Sequence, residues 1–463
     1  MTEGRDVRNT RAAESPPAGS LSLRGTRAAS SPLRIDYDAF QEAMECPYDP
    51  VLNPEGVLAL NVAENRLGWS DLRSKLEAIS ASVPIPDWVP GYSLSRGAPE
   101  FRQALASFLS VHLTGCTLDP ECFGVSAGAT GVIEMTSFFL ADPGDVAVIP
   151  APCYPVYRQD IGNMAEVERY DLVTHHDLSD IASGPRLEVP DLERALSEIE
   201  ASGRNMRMVI LTTPDNPTGG VYSERTLREI ARWCVASEVH LVVNEIYGLS
   251  TIDTTHGDLE RDYGDVPRSV PFAQIMADER SDYLHMWYAL SKDLGVSGLR
   301  TGAIYSHNAD LITGWENLNL THSVSNHTQW LLSELLSDQE FMAEYIEENR
   351  RRLTDAYASV IRTLRRVGVP YVPSRGSLFV WLDLSEFMSG DTDEAELALW
   401  DDLHRTAGIL LTPGVGFGHS GRGRFRLVYP CVSRPELSVA LRRLEDFIQG
   451  RRAQAAEDAT ERT

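Results

Sequence analysis

Between about residues 100 and 330, short apolar runs alternate with longer stretches in which apolar residues recur every three or four positions. The runs at 145–150, 206–212, 239–244, 283–290 and 301–305 do not alternate strictly with polar residues. Such runs predict strands buried on both faces of a parallel sheet. Between them, 131–140 (Val132, Met135, Phe139) and 224–237 carry helical spacing. Strand–helix alternation predicts an α/β sheet whose ligands gather at the carboxyl ends of the strands. Residues 335–365 read as one long helix through Leu335, Phe341, Tyr345, Leu353 and Ile361. Beyond it, runs at 378–382 and 424–429 and a helix near 393–408 predict a smaller α+β domain. The expected organisation is a disordered tail at 1–34, part of the small domain at 35–90 and a large domain at 91–330. The rest of the small domain follows at 331–450, with a polar disordered tail at 451–463.

Composition narrows the function classes. Hydrophobic residues make up 43% and charged residues 24% of the chain, as in a globular protein. A net charge of −25 and a pI near 4.8 argue against nucleic acid and anionic membranes as partners. No apolar run reaches membrane-span length. The six cysteines (46, 116, 122, 153, 234 and 431) lack metal-ligand spacing, so no metal is expected. Unpaired thiols and a cytoplasmic location are the simplest reading. Residues 1–34 carry six arginines but no apolar core of a secretion signal.

The chain holds forty arginines but only two lysines, Lys75 and Lys292. Lysine can lose its proton and attack a carbonyl to form a reversible imine, which arginine cannot do. Lys292 lies in Tyr288-Ala289-Leu290-Ser291-Lys292-Asp293, with Arg300 shortly after. Upstream, the small residues Ser126-Ala127-Gly128-Ala129-Thr130-Gly131 lead into a helix, where backbone amides and the helix dipole favour an anion. Thr213-Pro214-Asp215-Asn216-Pro217-Thr218-Gly219-Gly220 is a turn that can aim the Asn216 amide inward. Asn244-Glu245-Ile246-Tyr247 ends another apolar strand. An anion site, an amide, a phenol and an amine at successive strand ends suit a phosphorylated aldehyde cofactor.

In these motifs the chain resembles the fold-type I pyridoxal-phosphate enzymes of the class I/II aminotransferase superfamily, and within them the 1-aminocyclopropane-1-carboxylate (ACC) synthase branch. The likeness runs from about Leu60 to Tyr429. It includes Ala63-Glu64-Asn65, Gly97-Ala98-Pro99-Glu100-Phe101-Arg102, Pro152-Cys153-Tyr154-Pro155, Asn216-Pro217-Thr218-Gly219, Gly298-Leu299-Arg300 and Phe425-Arg426. It implies a large domain with a mostly parallel seven-stranded sheet, a smaller α+β domain, and a homodimer with shared active sites. Lys292 would bind the cofactor aldehyde and take the substrate α proton, with Tyr247 beside it. Ala129, Thr130, Ser291 and Arg300 would hold the phosphate, and Tyr154 would stack on the ring. Asn216 and Tyr247 would hydrogen-bond its phenolic oxygen, and Asn244 would face its nitrogen. Arg426 would clamp the substrate carboxylate, with Arg422 and Arg424 as alternatives. Glu64 would favour a cationic sulfonium, and Tyr92 would reach in from the neighbouring subunit.

Three departures separate the chain from a plain ACC synthase. Asn244 stands where the family has aspartate, Ala289 where it often has a phosphate-binding serine, and Ser95-Arg96 where ACC synthases carry tyrosine and histidine. The resemblance implies action on S-adenosylmethionine or another amino acid with a γ leaving group. The departures tilt the expectation towards loss of methylthioadenosine with γ-replacement or annulation onto a second substrate, a nicotinamide nucleotide being one candidate, in natural-product biosynthesis. Cyclopropane formation, ordinary transamination and a non-catalytic cofactor-binding module are the alternatives.

Overall fold

The computed structural model describes residues 20–30, 34–174, 185–263, 269–419 and 421–461. Most of the segment expected as an amino-terminal tail, residues 1–19 and 31–33, lies outside the described residues.

The large domain is built on a seven-stranded sheet. Its strands are β2 (Phe123–Ala127), β3 (Val146–Ala151), β4 (Glu168–Val173), β5 (Met206–Thr212), β6 (His240–Asn244), β7 (Leu284–Ala289) and β8 (Thr301–Ser306). They lie in the order β2-β8-β7-β6-β5-β3-β4. Only β8 runs antiparallel to its neighbours, β7 and β2. The five expected runs are β3 and β5–β8, and β5 to β8 are almost wholly buried, as continuous apolar runs require. Register pairs Thr212 with Asn244, and Asn244 with Trp287, so the loops after β5, β6 and β7 leave the sheet at one level. That alignment gathers Asn216, Tyr247 and Lys292.

Short β1 (Leu58–Ala59) pairs with β11 (Ile409–Leu410) and carries the amino-terminal segment into the smaller domain. The sheet of that domain is β12 (Thr412–Pro413), β13 (Arg424–Val428), β10 (Phe379–Asp383) and β9 (Tyr371–Val372), all antiparallel. Helices Gln339–Arg366 and Arg434–Glu461 contribute to its core through Tyr357, Ile361, Leu437 and Leu444.

Several expectations need correction. The long helix expected at 335–365 is two helices, Asn326–Ser337 and Gln339–Arg366. Asp338 leaves helical geometry (φ −81°, ψ 82°) and its carboxylate accepts the Phe341 N–H at 3.1 Å, capping the second helix. The first of these helices crosses the boundary expected at residue 330, and its Trp330, Leu332 and Leu335 bury in the large-domain core. So do Leu72, Leu76 and Ile79 of helix Trp69–Ser82, within the stretch assigned to the small domain. At the carboxyl end, 451–461 continue helix Arg434–Glu461 instead of forming a loose tail. Arg451 pairs with Asp402 and Arg452 with Glu386, fastening that extension to the small domain. Leu23–Ser30 is a helix that buries no residue, and Arg34 is tied to Asp36, so neither belongs to a formless tail.

Candidate active site

A cavity of about 200 Å³ lies at the carboxyl ends of β5, β6 and β7. Lys292 enters it from the short helix Leu290–Asp293 that follows β7. The adjacent Asp293 anchors this turn. Its carboxylate accepts from Ser250 Oγ at 2.7 Å, Leu249 N at 3.0 Å and Tyr288 Oη at 2.9 Å. Gly295 (φ +66°) passes so close to Asn65 that a Cβ there would meet the Asn65 carbonyl oxygen at 2.2 Å. Lys292 Nζ donates to the Ala63 carbonyl at 2.6 Å, so segment 61–65 forms the cavity wall facing the amine.

Burial depresses the Lys292 pKa to about 8, and the positive charges of Arg426, Arg300 and Arg34 act in the same direction. Glu64 opposes them. A lowered pKa increases the fraction of free amine near neutrality, the form that attacks an aldehyde. Glu64 itself is partly exposed and pairs with Arg66 at 2.9 Å, so its effect on the amine is through its field. Replacing Glu64 by Gln removes a charge that favours the ammonium. The midpoint for capture of pyridoxal phosphate by the apoenzyme should then fall below that of the wild type. A pH series of capture rates checks this, and an unchanged or higher midpoint contradicts it.

The anion end is built by helix Gly128–Leu140, which starts three residues earlier than its apolar spacing predicts. Gly128 (φ +79°) leaves β2 in a left-handed turn, which places Ala129 and Thr130 in the first helical turn with amides free to face the cavity. A Cβ on Gly128 would meet Arg300 Nη2 at 2.6 Å, so the arginine requires this glycine. Arg300 is itself left-handed (φ 49°) and donates to Ser297 O and Ala127 O, both at 3.1 Å. Ser291 lines the same end. Ala289 is buried in β7, and the hydroxyl present near Ser291 is that of Ser297, whose Oγ donates to Ser291 O at 3.0 Å.

The loop after β5 is fixed by Asp215, whose Oδ2 accepts from Thr218 N at 3.1 Å and Thr218 Oγ1 at 2.6 Å. This aims Asn216 inward. Asn216 Nδ2 lies 3.4 Å from Tyr247 Oη, and its Oδ1 accepts from Arg426 Nη1 at 3.0 Å. Arg426 on β13 is 3% exposed and also donates Nη2 to Asn61 O at 2.9 Å and Thr412 Oγ1 at 3.2 Å. Its guanidinium packs over the Phe379 ring at 4.6 Å. Burial lowers the Arg426 pKa to about 10, which leaves it charged at neutral pH. Of the alternative arginines, Arg422 pairs with Asp393 and Asp391, and Arg424 faces Asp383; neither lines the cavity. Tyr92 is 97% exposed and lies outside this chain's own cavity.

Six lining residues lack an individual sequence signal: Arg34, Ile133, Tyr157, Asp160, Thr212 and Ser297. Tyr157 and Asp160 follow Tyr154 at intervals of three, the helical spacing that could have found them. The Asp160 pKa is raised to about 7 by burial and by Glu134. Tyr154 meets Tyr157 edge-on at 5.4 Å.

Residues 57–444 match the family described as Aminotransferase class I and II. The chain belongs to that family.

The enzyme lies in its ACC synthase branch. It is 30% identical over 429 residues to 1-aminocyclopropane-1-carboxylate synthase 1 of Prunus mume, covering 90% of this chain and 84% of that protein. It is also 30% identical over 441 residues to 1-aminocyclopropane-1-carboxylate synthase 7 of Arabidopsis thaliana, covering 93% and 95%. Among solved structures, aspartate aminotransferase from Thermus thermophilus with maleate matches at a TM-score of 0.73 and 21% identity, covering 92% of this chain and 99% of that one. An aminotransferase from Mycobacterium tuberculosis matches at 0.72 and 22%, covering 93% and 100%. At these identities the solved structures speak to the fold, which is the fold-type I architecture.

The cofactor of the enzyme is pyridoxal phosphate, and the cavity suits it. One amine, a helix start beside an arginine, and an amide–phenol pair match its aldehyde, phosphate and phenolic oxygen. Among the described residues Arg426 Nε and Asn61 Oδ1 are buried without hydrogen-bond partners, which leaves unused polarity beside the Lys292 wall for a further ligand.

Proposed function

We propose that the enzyme acts on S-adenosylmethionine, or a similar amino acid with a γ leaving group, and expels methylthioadenosine. In this reading the remaining carbons join a second substrate, a nicotinamide nucleotide being one candidate, in natural-product biosynthesis. The observation that carries the first part is that Arg426, which stands behind the cavity lining, donates to the lining residue Asn216 at 3.0 Å, while its charge and the Glu64 carboxylate both act on the Lys292 amine. A buried guanidinium suits an α-carboxylate, and a nearby carboxylate suits a substrate that also bears a sulfonium. The similarity to 1-aminocyclopropane-1-carboxylate synthases supports an amino acid of this kind.

Bound pyridoxal phosphate supplies the electron-withdrawing group that makes the substrate α C–H acidic. The residues of the chain do the rest. Arg426 fixes the carboxylate and thereby the direction of the α C–H bond. Lys292, with its lowered pKa, receives the proton on Nζ. Asn216 and Tyr247 hold the oxygen end of the ring. The enzyme works as a homodimer in this proposal, with Tyr92 presented to the partner's cavity.

Transfer to a second substrate is favoured over plain cyclopropane formation by Asn244, Ala289 and Ser95-Arg96. Mass spectrometry of products from S-adenosylmethionine, with and without nicotinamide nucleotides, separates the readings. Methylthioadenosine with an acceptor adduct is the expected result. Clean conversion of S-adenosylmethionine alone to the cyclopropane amino acid would remove the second substrate. Absence of methylthioadenosine under all conditions would overturn the proposal.

A further inference from the structure

Asn244 closes β6 with its side chain in the cavity wall, and its two ends are not interchangeable. Oδ1 accepts the backbone N–H of Ile246 at 3.1 Å, and Nδ2 donates to Tyr157 Oη at 2.9 Å. A backbone N–H can only donate, so the oxygen of the amide must face Ile246 and the NH2 must face away. Tyr157 Oη accepts from Asn244 and has one hydrogen of its own to give. Thr212 Oγ1 lies 2.8 Å away, and either hydroxyl can donate to the other. Burial pushes the Tyr157 pKa up, so the phenol keeps that hydrogen throughout the ordinary pH range. The three side chains form a hydrogen-bonded relay in which Asn244 N–H donates to Tyr157 Oη, and Tyr157 is held in turn by Thr212. One hydrogen on Asn244 Nδ2 remains outside this relay.

Pyridoxal phosphate carries its aldehyde carbon between the phenolic oxygen and the phosphate arm, with the ring nitrogen at the opposite end of the ring. Lys292 claims the aldehyde. Asn216 and Tyr247 claim the oxygen, and Thr130, Ser291 and Arg300 claim the phosphate. Arg34 is tied to Asp36 and Ser297 donates to Ser291 O, so of the polar lining the Thr212–Asn244–Tyr157 edge is left for the nitrogen. Asp160 is set aside because Glu134, Arg300 and Thr130 are the groups that act on its carboxyl, at the phosphate end, although its Oδ2 has no hydrogen-bond partner among the described residues.

We propose that Asn244 donates its remaining N–H to the ring nitrogen and holds that nitrogen unprotonated, with Tyr157 and Thr212 as the positioning residues that lock the amide. A carboxylate at this position could only accept, and would favour the protonated ring. The proposal rests on the cofactor assignment and not on the identity of the amino-acid substrate.

The test uses apoenzyme reconstituted with pyridoxal phosphate labelled with 15N in the ring. The nitrogen resonance of the resting holoenzyme is compared with those of free neutral and protonated cofactor. In the wild type it should fall at the unprotonated position at neutral pH. In Asn244→Asp it should move upfield by the separation between the two free forms. A wild-type resonance at the protonated position overturns the proposal without any variant, so poor folding of Asn244→Asp leaves it decidable. A folded, cofactor-loaded Asn244→Asp whose resonance matches the wild type also overturns it, because residue 244 would then not touch the nitrogen. No substrate is present, so the result stands apart from whether S-adenosylmethionine is turned over.

Discussion

Exchanging Lys292 for Arg should eliminate covalent capture of the cofactor and reduce turnover by at least about a thousandfold, within the range of a general base removed from its reaction. The substitution separates chemistry from charge. Arginine retains the positive charge and can still donate towards the Ala63 carbonyl that Lys292 contacts at 2.6 Å. It cannot become a free amine near neutral pH, whereas burial has already brought Lys292 to about 8. Borohydride reduction followed by peptide mass spectrometry should fix pyridoxal phosphate on the Lys292 peptide of the wild type and leave the variant unlabelled. Lys75, the other lysine, pairs with Asp338 on a different face and should carry no label in either protein. A variant that retains both label and turnover would show Lys292 to be a structural cation.

Arg426→Lys should have the second-largest effect, lowering kcat/KM for the amino-acid substrate by roughly a hundredfold, equivalent to about 3 kcal/mol. Charge is kept, so the loss reports geometry. The guanidinium is held by Asn216, Asn61 and Thr412 and lies over the Phe379 ring at 4.6 Å, and an ammonium reproduces neither the fork nor that contact. Nε is the nitrogen left without a partner, so the variant removes the donor that is free to meet a carboxylate. Cofactor affinity should change less than substrate affinity, because Arg426 reaches the cofactor cavity only through Asn216. Equal loss of cofactor binding and substrate binding would assign Arg426 a structural role.

The strand ends were legible in the sequence because β5 to β8 are buried on both faces, leaving apolar runs that stop where the chemistry starts. Lys292 and Asn216 stand just beyond those strand ends, whereas Arg426 lies within β13 of the smaller sheet and is marked by its motif alone. Edge strand β4 did not show itself: it is mostly half-exposed, and Glu168, Arg169 and Asp171 read as loop. Strand β2 is short and contains Gly124 and Ser126. The break at 338 was hidden because one capping aspartate does not interrupt helical spacing. Arg34 had no signal, being one of six arginines in a polar stretch. Its place in the cavity depends on Asp36, a fully buried carboxylate that no local pattern announces.

Arg34 grips Asp36 through Nε at 2.8 Å and Nη2 at 2.7 Å. Asp36 also accepts from Asn61 Nδ2 at 2.6 Å, and the carbonyl of the same Asn61 accepts from Arg426. The strap at the amino end and Arg426 therefore share one residue, a physical path that couples them wherever binding at Arg426 differs between the docked and undocked strap. Any anion that binds Arg426 more tightly when the strap is docked must stabilise the docked strap by the same free energy. Substrate affinity then becomes a reporter of how firmly the amino-terminal segment is fastened, and protease resistance of that segment becomes a reporter of substrate.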